Sequence, residues 1–203
     1  MPPSISFLDT QANILGTVGL PDFVQAMLPA ATPVTSTYLP GARLNNSGSL
    51  VYVPLAHGFD IYDVHHGNLR ERISLTEQMS NGGGTLGDLV NRIVHSMAID
   101  ETGERLFLIT HKGLTVAQLD SAPLSVGSVT PSSGAAGTQV TVRGSGFVQG
   151  ATTSANGTSA AVSYVDGSTL NLTLPSLPAG AVQIKITNPD GQSYTLDDAY
   201  TVQ

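Results

Sequence analysis

The chain has 203 residues, enough for one large domain or two small ones, each with a real core. Only 11% of them are Asp, Glu, Lys or Arg, and the net charge of −7 includes just 8 Lys and Arg, so the clustered positive charge that neutralises phosphates is missing and no nucleic acid is expected as a partner. The absence of cysteine excludes disulfide staples, thiolate metal sites and thiol nucleophiles.

The chain opens with MPPSISFLDTQANILG, which has neither a basic n-region nor an uninterrupted apolar h-region, so no signal peptide is expected in it. No apolar run approaches the ~20 residues that cross a bilayer, so no transmembrane segment is expected. Gly, Ser, Thr, Ala and Val are abundant, which predicts short strands and tight turns and hence an all-β fold.

The first 120 residues contain a repeat. NNSGSLVYVPLAHGFDIYDV and DETGERLFLITHKGLTVAQL superpose without a gap at an offset of 55 residues, placing Gly48 on Gly103 and Gly58 on Gly113. In each copy a Gly-containing turn precedes an apolar run, Leu50 to Val53 or Leu106 to Ile109. A second Gly then opens an alternating run, Phe59, Ile61 and Tyr62 or Leu114, Val116 and Leu119, so each copy reads as strand, turn, strand. ISFLDTQANILGTV is a third, partial copy of FDIYDVHHGNLRERI, with Leu8 on Tyr62 and Asp9 on Asp63.

Meanders repeated at a fixed period are the units of β-propellers. NNSGSLVYV with FDIYDVHHGNL, and DETGERLFLI with LTVAQLD, resemble blades of the YVTN/NHL-type bacterial propellers. The spacing exceeds the usual ~40 to 45 residues because LTEQMSNGGGTLGDLVNRIV is inserted, with a short amphipathic helix expected over Leu86 to Val94 and a binding role conceivable for the loop. The alternative is an irregular β-domain whose copies match by chance. About two blades cannot close a ring, so the expectation is a C-terminal part of a larger protein, with self-association through open blade edges as another way of covering them.

At SAPLSVGSVTPSSGAAGTQVTVRGSGF the texture shifts to Ser, Pro and Gly followed by period-two alternation, which marks a boundary between residues 1–120 and 121–203. Pro131 ends a first strand. Further strands are expected at Val140 to Val142, Ala160 to Val165, Thr169 to Leu174, Val182 to Thr187 and Ala199 to Val202. Their spacing of about ten residues suits a sandwich, with Leu170, Leu172 and Leu174 facing Val182, Ile184 and Ile186. VGSVTPSSGAAGTQVTVRGSGF and LPSLPAGAVQIKITNPDGQS resemble the opening and close of IPT/TIG domains, over essentially all of Leu124 to Gln203. The resemblance implies an immunoglobulin-like β-sandwich and no catalytic residues. VQGATTSANGTSAAVSYV lacks an apolar anchor for the third strand, which is therefore expected to be ragged.

His65 and His66, near Asp60 and Asp63, invite a metal reading, but neighbours on a strand point to opposite faces and cannot both ligate one ion there, so turn histidines are expected. His57 and His111 lie beside Gly58 and Gly113 and read as repeat architecture. The acidic runs DETGE and TLDD lack the ligand spacing of a calcium loop, SNGGGTLGD is no P-loop, and no nucleophile elbow or metalloprotease motif occurs. No catalytic, cofactor or metal residue is assigned, and the ligand-binding residues are left open. NNS, NGT and NLT are formal glycosylation sequons at Asn45, Asn156 and Asn171.

The expected function is non-catalytic: an extracytoplasmic binding, adhesion or scaffold module of a bacterial surface or secreted protein, with a protein or carbohydrate ligand at the cell envelope. One alternative is the tail of a propeller lyase or hydrolase whose catalytic residues lie upstream. Another is a carbohydrate-binding accessory domain, for which Tyr164 and Tyr194 are the candidate stacking residues, since Phe147 and Tyr200 match core positions of the IPT/TIG pattern. A Rel-like DNA-binding sandwich is disfavoured because Leu124 to Gln203 contains only Arg143 and Lys185 as fixed cations.

Overall fold

The computed structural model describes residues 4–8, 14–19, 42–55, 57–79 and 97–203, and all its regular structure there is β. Residue Asp9 and the helix expected over Leu86 to Val94 lie outside the described residues. Two compact units form: one runs as far as Asp120, except for Asn46–Ser49, which belongs with Ser121–Gln203 in the other.

Among its described residues the first unit contains three sheets, in order of sequence position. Strands β1 (Ser4–Leu8) and β2 (Ile14–Gly19) form a hairpin. Strands β3 (Arg43–Leu44), β4 (Leu50–Leu55), β5 (Gly58–Asp63) and β6 (Leu69–Ser74) form a four-stranded antiparallel meander in chain order. Strands β7 (Met97–Ile99), β8 (Arg105–Thr110) and β9 (Gly113–Gln118) form a second meander of three.

The sequence repeat is also a backbone repeat, pair by pair. The β4/β5 ladder runs from Leu50 opposite Asp63 to Leu55 opposite Gly58. The β8/β9 ladder runs from Arg105 opposite Gln118 to Thr110 opposite Gly113, which is the same register at the offset of 55 residues. The turns agree as well. Asn45 accepts a hydrogen bond from the Leu50 amide through its side chain at 3.0 Å, and Asp100 does the same for Arg105 at 3.2 Å. Gly48 and Gly103 take φ of 71° and 78°, a left-handed conformation that a side chain would oppose. The partial copy at the start follows suit: β1/β2 ends on Leu8 opposite Ile14 after a register slip, as β5/β6 ends on Tyr62 opposite Leu69 after a slip at the equivalent place.

Both faces of β4 and β5 are buried, with Leu50, Tyr52, Val53, Phe59 and Ile61 wholly removed from solvent. Its Tyr52 hydroxyl donates to the Gly103 carbonyl at 2.7 Å and its Arg43 Nε to the Met97 carbonyl at 3.1 Å. Met97, Leu106 and Leu108 of the second meander join the same apolar core. The meanders therefore stack face to face.

The second unit is the immunoglobulin-like sandwich. Its strands are β10 (Ser125–Thr130), β11 (Ser133–Gly134), β12 (Gln139–Ser145), β13 (Thr152–Ala155), β14 (Thr158–Asp166), β15 (Thr169–Thr173), β16 (Gly180–Thr187) and β17 (Ser193–Val202). They hydrogen-bond in the order β10-β12-β15-β14-β13-β16-β17-β11. The long β14 pairs with β15 through its second half and with β13 through its first, so it passes from one layer to the other. Leu170, Leu172 and Leu174 of one layer, and Val182, Ile184 and Ile186 of the other, are buried as the alternation requires. Each contributes on the order of 1.5 to 3 kcal/mol. Pro131 follows the last residue of β10.

One expectation fails here. The third strand is not ragged, because β13 pairs in regular register with β14 on one side and β16 on the other. Its inward positions are Thr153 and Ala155, both buried, with the Thr153 hydroxyl donating to the Ala160 carbonyl at 3.0 Å. Small residues anchor it because two ladders hold its backbone, so no large apolar side chain is needed.

Candidate binding surfaces

His65 and His66 occupy the turn between β5 and β6. Asp63, at the end of β5, accepts from the His66 amide at 2.8 Å and lies 3.3 Å from its Nδ1, so this pair closes the turn. Asp60 is engaged elsewhere: the Arg72 guanidinium donates to both of its oxygens at 2.7 Å and the Tyr62 hydroxyl at 2.9 Å. Burial and that donation push the Tyr62 phenol up to about 12. His57 and His111 sit in the turns that lead to Gly58 and Gly113. Among the described residues no three His, Asp or Glu side chains gather as a metal site.

In the DETGE turn the Asp100 carboxylate accepts from the amides of Gly103, Glu104 and Arg105 and from the Thr102 hydroxyl, at 2.9 to 3.2 Å. Partial burial would raise its pKa, but these hydrogen bonds to the ionised form outweigh it and hold the carboxyl below its usual range. Asp100 is thus a turn cap. The sequon residue Asn45 is likewise buried in its turn, while Asn156 and Asn171 are exposed.

Of the two tyrosines considered for sugar stacking, Tyr164 is 38% exposed and Tyr194 is buried at 3%. The reason is register: Tyr194 lies opposite Ile186, whose face is the core, and directly opposed residues share a face. Phe147 and Tyr200 are core residues, as the family pattern implies.

The outward face of β12, β15 and β14 carries a feature that the sequence reading missed. Thr141, Asn171 and Ser163 form one cross-strand row, and Gln139, Thr173 and Ala161 the next. With Pro131 these residues line an open groove of about 640 Å³. The Thr141 hydroxyl donates to Asn171 Oδ1 at 3.0 Å. The groove wall mixes hydroxyls and carboxamides with apolar residues such as Pro131, Ala161 and Val162, and carries no ionised side chain. Each of these residues alone reads as the polar half of a strand alternation, so only the alignment of three strands reveals the surface.

A second surface lies on the first unit. Leu114 and Val116 of β9 are 65% and 51% exposed, and Ile109 of β8 is 43% exposed. Cross-strand pairing puts Ile109 opposite Leu114, Phe107 opposite Val116 and Ala98 opposite Phe107, so all five share one face of the second meander. The alternating run expected there is present, but only Leu119 at its end is buried.

The family comparison bears on the second unit. Residues 124–202 match the model of the IPT/TIG domain. An IPT/TIG domain therefore forms the C-terminal part of this chain. No curated protein matches the chain. Among solved structures, similarity is found to a gamma-CGTase from alkalophilic Bacillus clarkii, with 22% identity and a TM-score of 0.40 over 79% of this chain and 25% of that one. A second is SGBP-B from a complex xyloglucan utilization locus in Bacteroides uniformis, with 15% identity and a TM-score of 0.34 over 84% and 48%. A polysaccharide lyase follows at 9% identity and a TM-score of 0.31 over 79% and 36%. The chain thus spans between a quarter and about half of these structures. At such scores they bear neither on its fold nor on its function.

Proposed function

We propose that this protein is a non-catalytic, extracytoplasmic binding and scaffold module of a bacterial surface or secreted protein, with propeller-type blades over residues 1–120 and the IPT/TIG sandwich over 121–203. Its ligand is an uncharged, hydroxyl-rich polymer, a neutral polysaccharide, seated along the outward face of β12, β14 and β15. The observation that carries this reading is the groove lined by Gln139, Thr141, Ser163, Asn171 and Thr173. Side chains that both donate and accept match a polyol, whereas an anionic polymer would require the cations that the groove lacks. The pairwise identity of the two meander registers supports the blade reading of the first unit.

The test is affinity electrophoresis of the full chain through gels containing neutral polysaccharides, an α-glucan, a β-glucan, a xylan and a mannan. Retardation in at least one gel is expected, reduced several-fold by Asn171→Ala, which removes both a donor and an acceptor from the groove. Unretarded migration in all four gels overturns the polysaccharide reading in favour of a protein ligand. Release of new reducing ends or unsaturated sugars from any of them overturns the non-catalytic one.

A further inference from the structure

One row beyond the neutral groove, the same outward face carries a cation. Ser128 of β10 lies opposite Arg143 of β12, Arg143 opposite Thr169 of β15, and Thr169 opposite Asp166 of β14. Arg143 follows Thr141 by one full alternation of β12, so the two share a face. Ser128, Arg143 and Ser168, with Asn46 and Ser47 of this same unit, line an open cleft of about 280 Å³. Pockets for drug-sized ligands begin at ~300 Å³, so the occupant is small.

Hydrogen bonding fixes what the cleft offers. The Ser145 hydroxyl donates to the Pro123 carbonyl at 2.7 Å, a group that can only accept. Each hydroxyl has a single proton, so Ser145 accepts from Ser125 at 2.7 Å, Ser125 from Ser49 at 2.6 Å and Ser49 from Ser47 at 2.7 Å. The Ser47 hydroxyl therefore gives its proton to this chain and presents only lone pairs to the cleft. Ser168 is in the same position, because its hydroxyl donates to the Asp166 carboxylate at 2.8 Å. Arg143 gives one N–H to the Thr169 hydroxyl at 3.2 Å and keeps the rest of its guanidinium donors. Among the described residues it forms no ion pair. Asp166, at the end of the row, opposes an incoming anion and keeps the affinity modest.

We propose that this cleft binds one small hydroxylated carboxylate, a sugar acid, with Arg143 on the carboxylate and Ser47 and Ser168 accepting from ring hydroxyls. A simple carboxylate satisfies the guanidinium and leaves both acceptors unmet, a neutral sugar does the reverse, and sulfate brings no donor at all. The site is separate from the polysaccharide groove and does not depend on it.

Amide NMR of the full chain, titrated with methyl glucuronoside, methyl glucoside, acetate and sulfate, tests this. Saturable shifts at Ser128, Arg143 and Ser168 are expected with the glucuronoside, at millimolar affinity as suits one exposed ion pair and two hydrogen bonds. The glucoside should give none, and acetate and sulfate should bind about tenfold more weakly. Arg143→Gln should weaken the glucuronoside about tenfold or more, since it removes the charge-assisted pair. Ser47→Ala should weaken it several-fold and leave acetate unchanged. A glucuronoside that gives no saturable shift up to about 100 mM, that binds no better than acetate or sulfate, or that binds Arg143→Gln as well as the natural chain overturns the proposal. A free sugar acid and an acidic residue of a polymer share this chemistry, and gels of glucuronoxylan and unsubstituted xylan separate them. Extra retardation abolished by Arg143→Gln assigns the polymer; none, with the glucuronoside bound, assigns the free acid. Asn171→Ala should leave the titration unchanged, so failure of the groove reading and failure of this one are read independently.

Discussion

Asp60 and Arg72 face each other across β5 and β6, and the ladder register holds them there. Asp60 is fully buried, so its charge requires the two hydrogen bonds from Arg72 and the one from Tyr62. Tyr62 is thereby tied to its protonated form. Below its ordinary value of 10.0 both folded and unfolded chains carry the proton, and its contribution to stability is complete. Between 10.0 and about 12 the unfolded chain releases the proton while the folded one keeps it, so stability falls as pH rises. Tyr52, raised in the same direction chiefly by burial, adds to the trend. Urea midpoints measured from pH 9 to pH 12 should fall with pH, and Tyr62→Phe should make that decline shallower. An unchanged slope in Tyr62→Phe would mean that its proton is not held by the folded state.

Among the described residues the two meanders differ by one strand, and paired glycines report it. Gly58 and Gly113 open β5 and β9 with φ of 133° and 110°, a conformation in which any side chain is strained. At Gly58 an added Cβ would also collide with the Ile73 carbonyl oxygen of β6, whereas at Gly113 nothing lies within 4 Å, and among the described residues no fourth strand lies beside β9. Gly113→Ala should therefore cost about 1 to 2 kcal/mol from backbone strain alone. Gly58→Ala should cost at least about 3 kcal/mol, since β6 must shift or detach. Chemical denaturation of the two variants decides it: equal losses would place an equivalent strand beside β9. Leu114 and Val116 alternate as correctly as Phe59 and Ile61 but are exposed, because the face they share is not packed into the core that encloses Phe59 and Ile61.

At the scale of the whole molecule the apolar side chains of the described residues form two separate cores, one built around Leu50, Phe59 and Leu106 and the other around Val142, Leu172 and Ile184. Cavity-forming substitutions should act locally. Leu106→Ala and Ile184→Ala are each expected to cost about 2 to 5 kcal/mol, and calorimetry should show each lowering one transition while leaving the other in place. A single transition lowered by both would show that the units unfold together. Much of this architecture was legible beforehand, because period-two alternation, turn glycines and a gapless internal repeat are local properties written into consecutive residues. They sufficed for an all-β chain, an immunoglobulin-like sandwich after Leu124 and inward-facing Leu170, Leu172, Ile184 and Ile186. What depended on partners in space was not legible. Tyr194 reads like Tyr164 until its register opposite Ile186 turns it inward. Likewise β13 looks unanchored until two neighbours hold it. The polar groove exists only where three strands bring Thr141, Ser163 and Asn171 into one row. Local pattern determines which residues become strands and which of their faces is apolar. Only the tertiary structure decided which apolar face finds a neighbour, because burial belongs to the pair of surfaces and not to either strand.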